Sequence, residues 1–425
     1  MTKHNILRKE YTLNTREYQL KLPLELDVCI PANDCVRLIS QFVEEMDLAA
    51  LYDTYERMPS GKYASPEIML KLMLYAYHER KDISSRTIEK NCKRDINYMY
   101  LLEGRQAPDH SAIARFRTEH FGKCADRFLS QMTQMLLELE QITKTEVFID
   151  GTKIEASANK YTFVWKKAVT KHQARLLQKT ALLVGEIIGR HEVKPLWKKQ
   201  VKKHHVKKLL KRLKLKAKEE GLKFVSGRGC RKEQLQKDIE DLEYALIKIK
   251  EYDMKLYRCG NRNSYSKTDP DATFMHMKDD HMLNGQLKPA YNIQHAVNSG
   301  FIVAAGVFPN PTDVLTLKPF WNQMEKSLNF SFERMVADAG YESEENLVFL
   351  KDKGIEAYIK PANYEQTGTK KFEKEIGRKE NMKYDKEGDF YLCHNGKKVE
   401  KVGVKTRKTA SGYLREETHY ACSEC

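Results

Sequence analysis

The sequence predicts an α/β protein in which a mixed sheet is interrupted by a long helical insertion. Two apolar runs rich in β-branched and aromatic residues each end on an aspartate, Asp150 and Asp338, followed by small, turn-forming residues. A charged helical region, 165–256, lies between them, and Asn298-Ser299-Gly300 marks a hairpin further along. Because strands of this composition are stable when both faces are buried, we expect the two carboxylates at neighbouring strand ends of one sheet.

The length and the charge of the chain narrow the class of protein. At 425 residues it is long enough for two or three domains and a sizeable core. The 74 Lys and Arg exceed the 59 Asp and Glu, and the formal charge of +15 favours a polyanionic partner, either nucleic acid or an anionic membrane. No stretch approaches the roughly 18–20 apolar residues of a membrane span, and no secretory signal opens the chain, so we expect a cytoplasmic protein. The nine cysteines are scattered and odd in number, which predicts reduced thiols.

Residues 1–140 are predicted to form an all-α N-terminal domain. One helix begins at Ser65-Pro66-Glu67, where serine suits the cap and proline the first turn, and another begins near Asp109. Arg115 and Arg117 follow on this second helix as candidate phosphate contacts. Short helices with exposed arginines are compatible with a helix-turn-helix DNA-binding domain and also with a small helical domain of another kind.

Residues 165–256 are predicted to be an insertion of long, charged helices. Leu235, Ile239, Leu242 and Leu246 recur at spacings of four and three, the seam of a helical hairpin or a short coiled coil. A basic run with few acidic residues precedes this seam, and its side chains either form a solvated helix face or contact a phosphate backbone. The shortage of acidic partners favours phosphate. The candidate DNA-binding residues of the run are Lys198, Lys199, Lys202, Lys203, Lys207, Lys208, Lys211 and Arg212.

The chain after the insertion alternates strands and helices. The two strands of the hairpin come first, then a helix that Thr312 or Asp313 is predicted to cap and that Pro319 kinks or delays. The strand that ends at Asp338 follows, and after it a helix from Ser343 and one more strand. The predicted divisions are 141–164 with 257–361 for the sheet domain, 165–256 for the insertion and 362–425 for a cysteine-bearing β extension.

Six short motifs occur in order along the chain. They are SPEIML at 65–70, PDHSAIARFR at 108–117, IDGTK at 149–153, KTDPDA at 267–272, NGQLKPAYN at 284–292 and ADAGY at 337–341. Together they resemble the DDE transposases of bacterial insertion sequences, most closely the IS1182-like branch of the IS4-type group. The resemblance covers nearly the whole chain. It implies an RNase H-like catalytic fold, Mg²⁺ or Mn²⁺ as cofactor, and cut-and-join chemistry at the terminal inverted repeats of double-stranded DNA, performed by a nucleoid-associated bacterial protein that dimerises on DNA.

The resemblance assigns chemistry to the two aspartates. Two metal ions about 3.5–4 Å apart activate the attacking oxygen and stabilise the leaving oxygen of a phosphodiester, and hard cations prefer carboxylate ligands. Asp150 would bridge both ions, and Asp338 would hold one of them. The third carboxylate of the family is a glutamate on a helix beyond the last predicted strand, and the sequence stops before a matching helix. We therefore expect a carboxy-terminally truncated transposase with an incomplete catalytic site.

Three cysteines near the end of the sequence, Cys393, Cys422 and Cys425, are similar to half of a four-cysteine zinc ribbon. They either contribute to a partial Zn²⁺ site or are ordinary thiols.

Two functions from different classes follow from these expectations. The first is an active nuclease and strand transferase, completed by a separately encoded carboxy-terminal fragment. The second is a catalytically dead DNA-binding remnant or regulator. A metal-dependent nuclease unrelated to transposition is a third option, and it would cut DNA without a preference for terminal repeats.

Overall fold

The structure is a computed structural model, and it describes residues 29–56, 63–79, 83–194, 201–227, 231–277, 285–409 and 411–422. Three of the candidate site residues, Lys198, Lys199 and Cys425, lie outside the described residues. The chain divides into two compact units, Met1–Met135 and Leu136–Cys425.

The first unit is helical, and both predicted helix starts are confirmed. Ser65 Oγ accepts a hydrogen bond from the amide of Ile68 at 3.2 Å, and Asp109 Oδ1 accepts one from the amide of Ala112 at 2.6 Å, as expected of N-cap residues. A π-helical turn, Phe116–Phe121, joins the last two helices. The helices are α1 Cys35–Glu44, α2 Ala49–Tyr52, α3 Pro66–Glu79, α4 Ser85–Cys92, α5 Ile96–Leu101, α6 His110–Arg115 and α7 Gly122–Glu138.

The apolar core of this unit contains one buried lysine. The side chain of Lys71, on α3, is 1% exposed, and its Nζ donates to Glu44 Oε1 at 2.7 Å and to Glu103 Oε1 at 2.8 Å. Glu67 Oε1 lies 3.4 Å from the same nitrogen. Because an isolated buried ammonium is costly, these three carboxylates are what allow Lys71 to be charged in the interior.

The second unit contains a mixed six-stranded sheet. The order of its main path is β4-β5-β1-β7-β8, and β6 pairs with β5 beside β4. Strand β5 runs antiparallel to β1, whereas β1, β7 and β8 are parallel. The strands of the unit are β1 Glu146–Glu155, β2 Phe163–Trp165, β3 Ser264–Ser266, β4 Thr273–His276, β5 Leu287–Asn298, β6 Phe301–Phe308, β7 Arg334–Ala337, β8 Glu356–Ile359, β9 Lys383–Asp385, β10 Phe390–Leu392, β11 Lys398–Lys408 and β12 Leu414–Ala421.

The predicted hairpin between β5 and β6 is confirmed. Ser299 has a φ of 50° and Gly300 a φ of 86°, so both central residues of the turn adopt the left-handed region. Two-residue hairpin turns with positive φ match the twist of the flanking strands, and glycine adopts this region without strain.

Strand β1 differs from the sequence expectation in two respects. It does not end at Asp150 but continues to Glu155, because the long strand β5 pairs with it as far as the Glu155↔Ala290 pair. It is also not buried on both faces: Val147 and Ile149 are buried, whereas Phe148 is 46% exposed. Only the pairing with β7 ends before Asp150. At Asp150 the strand is therefore paired with β5 on one side and is no longer paired with β7 on the other.

The predicted helical insertion is three helices, α8 Lys166–His191, α9 Lys203–Glu219 and α10 Gln234–Cys259. Strands β2 and β3 pair antiparallel where the insertion leaves and rejoins the sheet domain. The seam residues Leu235, Ile239 and Leu242 are buried against Val184 and Ile187 of α8. The basic helix α9 also contributes a buried stripe, which consists of Val206, Leu209, Leu213 and Ala217. Its lysines are therefore confined to the remaining faces of the helix.

Helices α11 Leu317–Leu328 and α12 Glu344–Asp352 belong to the sheet domain, and α11 packs its apolar face into the core below β1 and β6. A 3₁₀ turn, Asp313–Leu315, precedes α11, so Pro319 falls in the first turn of the helix and does not kink it. Short helices α13 Tyr364–Thr367 and α14 Lys370–Glu373 lead to a second sheet of order β12-β11-β10-β9. Within the described residues, no helix combines the length and apolar composition that crossing a membrane requires.

Candidate functional site

Asp150 and Asp338 follow a register pair on two adjacent parallel strands. Ile149 of β1 pairs with Ala337, the last residue of β7. Asp150 is the next residue of β1, and Asp338 is the first residue after β7. Neighbouring strands are about 4.8 Å apart, so the register brings the two backbones side by side at this position although they are distant in sequence. Both side chains are exposed.

Each of these aspartates has one carboxylate oxygen bound to a nearby backbone amide. Asp150 Oδ1 accepts from the amide of Gly151 at 2.7 Å, and Asp338 Oδ1 accepts from the amide of Gly340 at 2.9 Å. Asp338 is thereby the N-cap of a short 3₁₀ turn, Ala339–Tyr341. These contacts orient the side chains and use neutral donors, which leave the negative charges uncompensated.

A third aspartate, Asp313, lies at the same place, and the sequence pattern does not identify it as a site residue. Its side chain does not cap a helix. Its Oδ1 accepts from Asn292 Nδ2 at 2.8 Å and from Gln294 Nε2 at 3.0 Å, and both amide side chains are fully buried on β5. The signal in the sequence is the pair Asn292 and Gln294, two polar residues at strand spacing on the buried face, because buried polar groups need partners.

Two glycines show how closely the aspartates approach. A Cβ on Gly340 would lie 3.0 Å from Asp338 Oδ1 and 3.3 Å from Asp313 Oδ2, so these two oxygens are separated by no more than the sum of those distances. A Cβ on Gly151 would lie 2.6 Å from Asp313 Oδ1 and 2.5 Å from Gln294 Nε2. A side chain at either position would enter space that the carboxylates and amides occupy.

Tyr341 lies buried among the three aspartates. Its hydroxyl donates to Gln294 Oε1, which ties it to the same amide that holds Asp313. Burial raises the pKa of Tyr341 far above its usual range, and the negative charges of Asp313, Asp150 and Asp338 raise it further. The hydroxyl therefore remains a neutral donor, and all three carboxylates are near enough to act on it.

The donor set at this site is suited to a divalent cation. Carboxylate oxygens are the ligands that Mg²⁺ and Mn²⁺ prefer, and the site offers several on a solvent-accessible part of the sheet. The three aspartates, all of them described residues, are more widely spaced than a compact metal site: their ligand atoms do not all lie within 4.8 Å of one another. Like charges oppose closer approach, and a bound cation would remove that repulsion.

Most of the predicted DNA contacts on and beside α9 are exposed side chains. Lys207, Lys208 and Lys211 are exposed, and none of them forms an ion pair with another described residue. Lys202 and Arg212 are exposed as well, and Arg212 donates to the carbonyl of Lys194.

Two other lysines of the helix are already paired within the insertion. Lys203 forms an ion pair with Asp253, and Lys214 forms one with Glu243. The charge of each of these two lysines is partly balanced by its carboxylate, so we expect them to attract an outside anion less strongly than Lys207, Lys208 and Lys211 do.

The two candidate arginines of the helical unit are placed differently. Arg115 is exposed at the end of α6. Arg117 is half-buried, and its guanidinium donates to the carbonyl of Ile83 at 2.8 Å. One of the Arg117 donors is therefore already used within the unit.

Cys393 and Cys422 are half-buried free thiols. Cys393 follows β10 and Cys422 follows β12, and these two strands lie on opposite sides of β11. In the described part of the chain, neither cysteine belongs to a group of three residues that could hold a metal ion.

The comparisons with known proteins identify the class of this chain as a transposase. A transposase domain (DUF772) matches residues 24–119, and a transposase DDE domain matches residues 262–413. The second match includes Asp313 and Asp338, whereas Asp150 precedes it. By these two domains and their order, the chain belongs to the DDE transposases with the IS1182-type arrangement. No curated protein and no solved structure matches the chain.

Proposed function

We propose that this transposase binds the ends of its insertion sequence and uses Mg²⁺ or Mn²⁺, held by Asp150 and Asp338, to cleave DNA and transfer strands. The observation that carries the proposal is the Ile149↔Ala337 pair, because the residue that follows each member of this last pair of β1 and β7 is an aspartate. Transposition requires phosphodiester chemistry, and DDE transposases generally use divalent metal ions.

We also infer that the sheet domain is RNase H-like. One support is the strand order β6-β5-β1-β7-β8, in which β5 runs antiparallel to both of its neighbours, β6 and β1. Another is that α11 lies between β6 and β7 in the sequence. The proposed domains are the helical 1–140, the core 141–164 with 257–361, the insertion 165–256 and the extension 362–425.

The roles of the protein groups follow from their positions. When bound, the cation lowers the pKa of a bound water or hydroxyl and neutralises charge on the phosphate. Asp150 and Asp338 would hold it, and the amides of Gly151 and Gly340 fix one oxygen of each carboxylate in place. The exposed position of both aspartates leaves room for a DNA backbone to approach.

Helix α9 is the proposed phosphate-binding surface of the insertion. Its buried stripe holds it against α8 and α10, so its exposed lysines are carried on a packed scaffold. Lys207, Lys208 and Lys211 have no carboxylate partner among the described residues, and phosphate groups would supply one. Charge-assisted contacts of this kind position DNA without reading its sequence.

Cleavage of labelled DNA carrying the inverted repeats that flank the gene tests the catalytic proposal. We expect cuts that require Mg²⁺ or Mn²⁺ and that fall by at least about a hundredfold in Asp150→Asn and in Asp338→Asn, since a catalytic metal contributes several kcal/mol. Asp352→Asn, an exposed aspartate at the end of α12, is the matched control and should cut normally.

Two outcomes would contradict the catalytic proposal. Cutting that survives both site variants would place the chemistry elsewhere. Binding of the repeats with no cut under any metal condition would instead identify a DNA-binding remnant or regulator.

Salt dependence tests the binding surface. Replacing Lys207, Lys208 and Lys211 together by Gln should reduce the log–log salt slope of DNA binding by up to about 2.7, or about 0.9 for each phosphate that the lysines neutralise. Lys214→Gln is the control, because Lys214 is already paired with Glu243 and should change the slope little. An unchanged slope in the triple variant would show that these lysines form only a solvated helix face.

A further inference from the structure

We propose that Asp313 supplies a third carboxylate to the cation site of Asp150 and Asp338. This inference rests on the proposed function and extends it to a residue from the turn before α11. The structure offers a carboxylate within the chain that approaches Asp338 directly, across Gly340.

The two oxygens of Asp313 have different surroundings. Oδ1 accepts two hydrogen bonds, from Asn292 and from Gln294, at 2.8 and 3.0 Å. Oδ2 lies on the side of Gly340 and Asp338, where a Cβ on Gly340 would be 3.3 Å away from it. The carboxylate is thus fixed through one oxygen, and its other oxygen is directed at the proposed cation site.

The amide network that holds Asp313 is buried. Asn292 and Gln294 are both fully buried, and Gln294 is held in turn by the hydroxyl of Tyr341. The two amides also bond to each other, Gln294 Nε2 to Asn292 Oδ1 at 2.9 Å. Burying amides gains little stability over apolar side chains, whereas a network that fixes a ligand oxygen is what a preorganised metal site needs.

The charge of Asp313 is not compensated by its donors. These donors are neutral amides, so its negative charge adds to those of Asp150 and Asp338 around Tyr341. The described residues supply no ion pair to these three carboxylates, which therefore repel one another, and a divalent cation would turn this repulsion into attraction.

Asp313→Asn is a selective test. Asparagine has the same shape, and its Oδ1 still accepts from Asn292 and Gln294, while an amide nitrogen replaces the oxygen that faces Asp338. Mn²⁺ binding to the full chain, measured by titration with detection of free Mn²⁺ by electron paramagnetic resonance, should weaken at least about tenfold. Asp352→Asn should bind as the wild type does.

The outcomes separate this inference from the function on which it rests. If Asp150→Asn and Asp338→Asn weaken Mn²⁺ binding while Asp313→Asn does not, the third ligand is refuted and the catalytic proposal stands. If none of the three weakens it, the cation site itself is refuted.

A second measurement uses the wild-type chain and does not depend on how a variant folds. Fe²⁺ with ascorbate and peroxide generates hydroxyl radicals at a divalent site, and these cut the nearby backbone. We expect cuts close to residues 150, 313 and 338, and competition by Mg²⁺. Cuts near 150 and 338 without any near 313 would overturn the inference.

Discussion

Two groups of three carboxylates in this molecule differ in the groups that contact them, which are a cation in one case and neutral donors in the other. In the helical unit, Glu44, Glu67 and Glu103 surround the ammonium of Lys71. In the sheet domain, the donors to the aspartates are amides, from Asn292 and Gln294 or from the backbone. The first group contains its own cation, and in our proposal the second binds one from solution.

The presence of an internal cation is our reason for proposing the metal site at the aspartates and not at the glutamates. The ligand atoms of the three glutamates lie within 4.8 Å of one another, closer than those of the aspartates. Proximity alone would favour the glutamates, but Lys71 Nζ already occupies the position that a metal ion would take. We therefore assign the glutamates a structural role and the more open aspartates the cation.

The largest expected effect is the response of the two groups to a divalent cation. At about a thousandfold excess over its Kd, Mn²⁺ should stabilise the sheet domain by about 4 kcal/mol. Hydrogen exchange followed by mass spectrometry should show slower exchange in β1 and β7 and unchanged exchange in α3. Equal protection of α3 would contradict the assignment, and Asp338→Asn should lose the protection of the strands.

The next effect is the loss of the internal cation. Lys71→Met keeps the apolar stem and removes the charge, leaving three carboxylates that repel one another. Because Glu44 and Glu103 are about half exposed, water relieves part of this cost, and we expect a loss of about 2–3 kcal/mol, measured by urea unfolding. Lys93→Met, at an exposed pair with Glu89, should cost less than about 0.5 kcal/mol. Equal losses in the two variants would show that Lys71 has no special structural role.

A third effect concerns the space between the aspartates. Gly340→Ala should cost about 1 kcal/mol, because the new methyl group crowds Asp338 and Asp313, and should weaken Mn²⁺ binding about tenfold. Gly189→Ala, in α8 with no atom near its Cβ position, should instead gain about 0.5–1 kcal/mol. If both variants bind Mn²⁺ alike, Gly340 is not required by the site.

The local parts of this architecture could be predicted from the sequence, and the long-range parts could not. The strand before Asp338, the caps at Ser65 and Asp109 and the hairpin at Ser299 depend on neighbouring residues alone. Asp313 depends on partners about twenty residues away, so local rules assign it to a helix cap.

Strand β1 shows the same limit for register. Strand β1 continues beyond Asp150 because β5 pairs with it as far as Glu155, and the residues of β1 alone do not predict how far that pairing extends. A long-range signal does exist in the sequence. Asn292 and Gln294 alternate on a strand and are buried, and buried polar side chains require hydrogen-bond partners from elsewhere in the chain.

The smallest effect is the pH dependence of the group around Lys71. Hydrogen bonds from Lys71 and Ser40 lower the pKa of Glu44 below its ordinary value of 4.5. A carboxyl whose pKa is lower in the folded state stabilises that state above its ordinary pKa, and this contribution is lost as the pH falls through the folded pKa. The stability of the wild type relative to Glu44→Gln, followed by urea unfolding between neutral pH and about pH 3, should therefore shrink only below about pH 4.5. The shift should be small, because the Glu44 side chain is 54% exposed, and a constant difference across this range would mean that Lys71 does not depend on Glu44 for its charge.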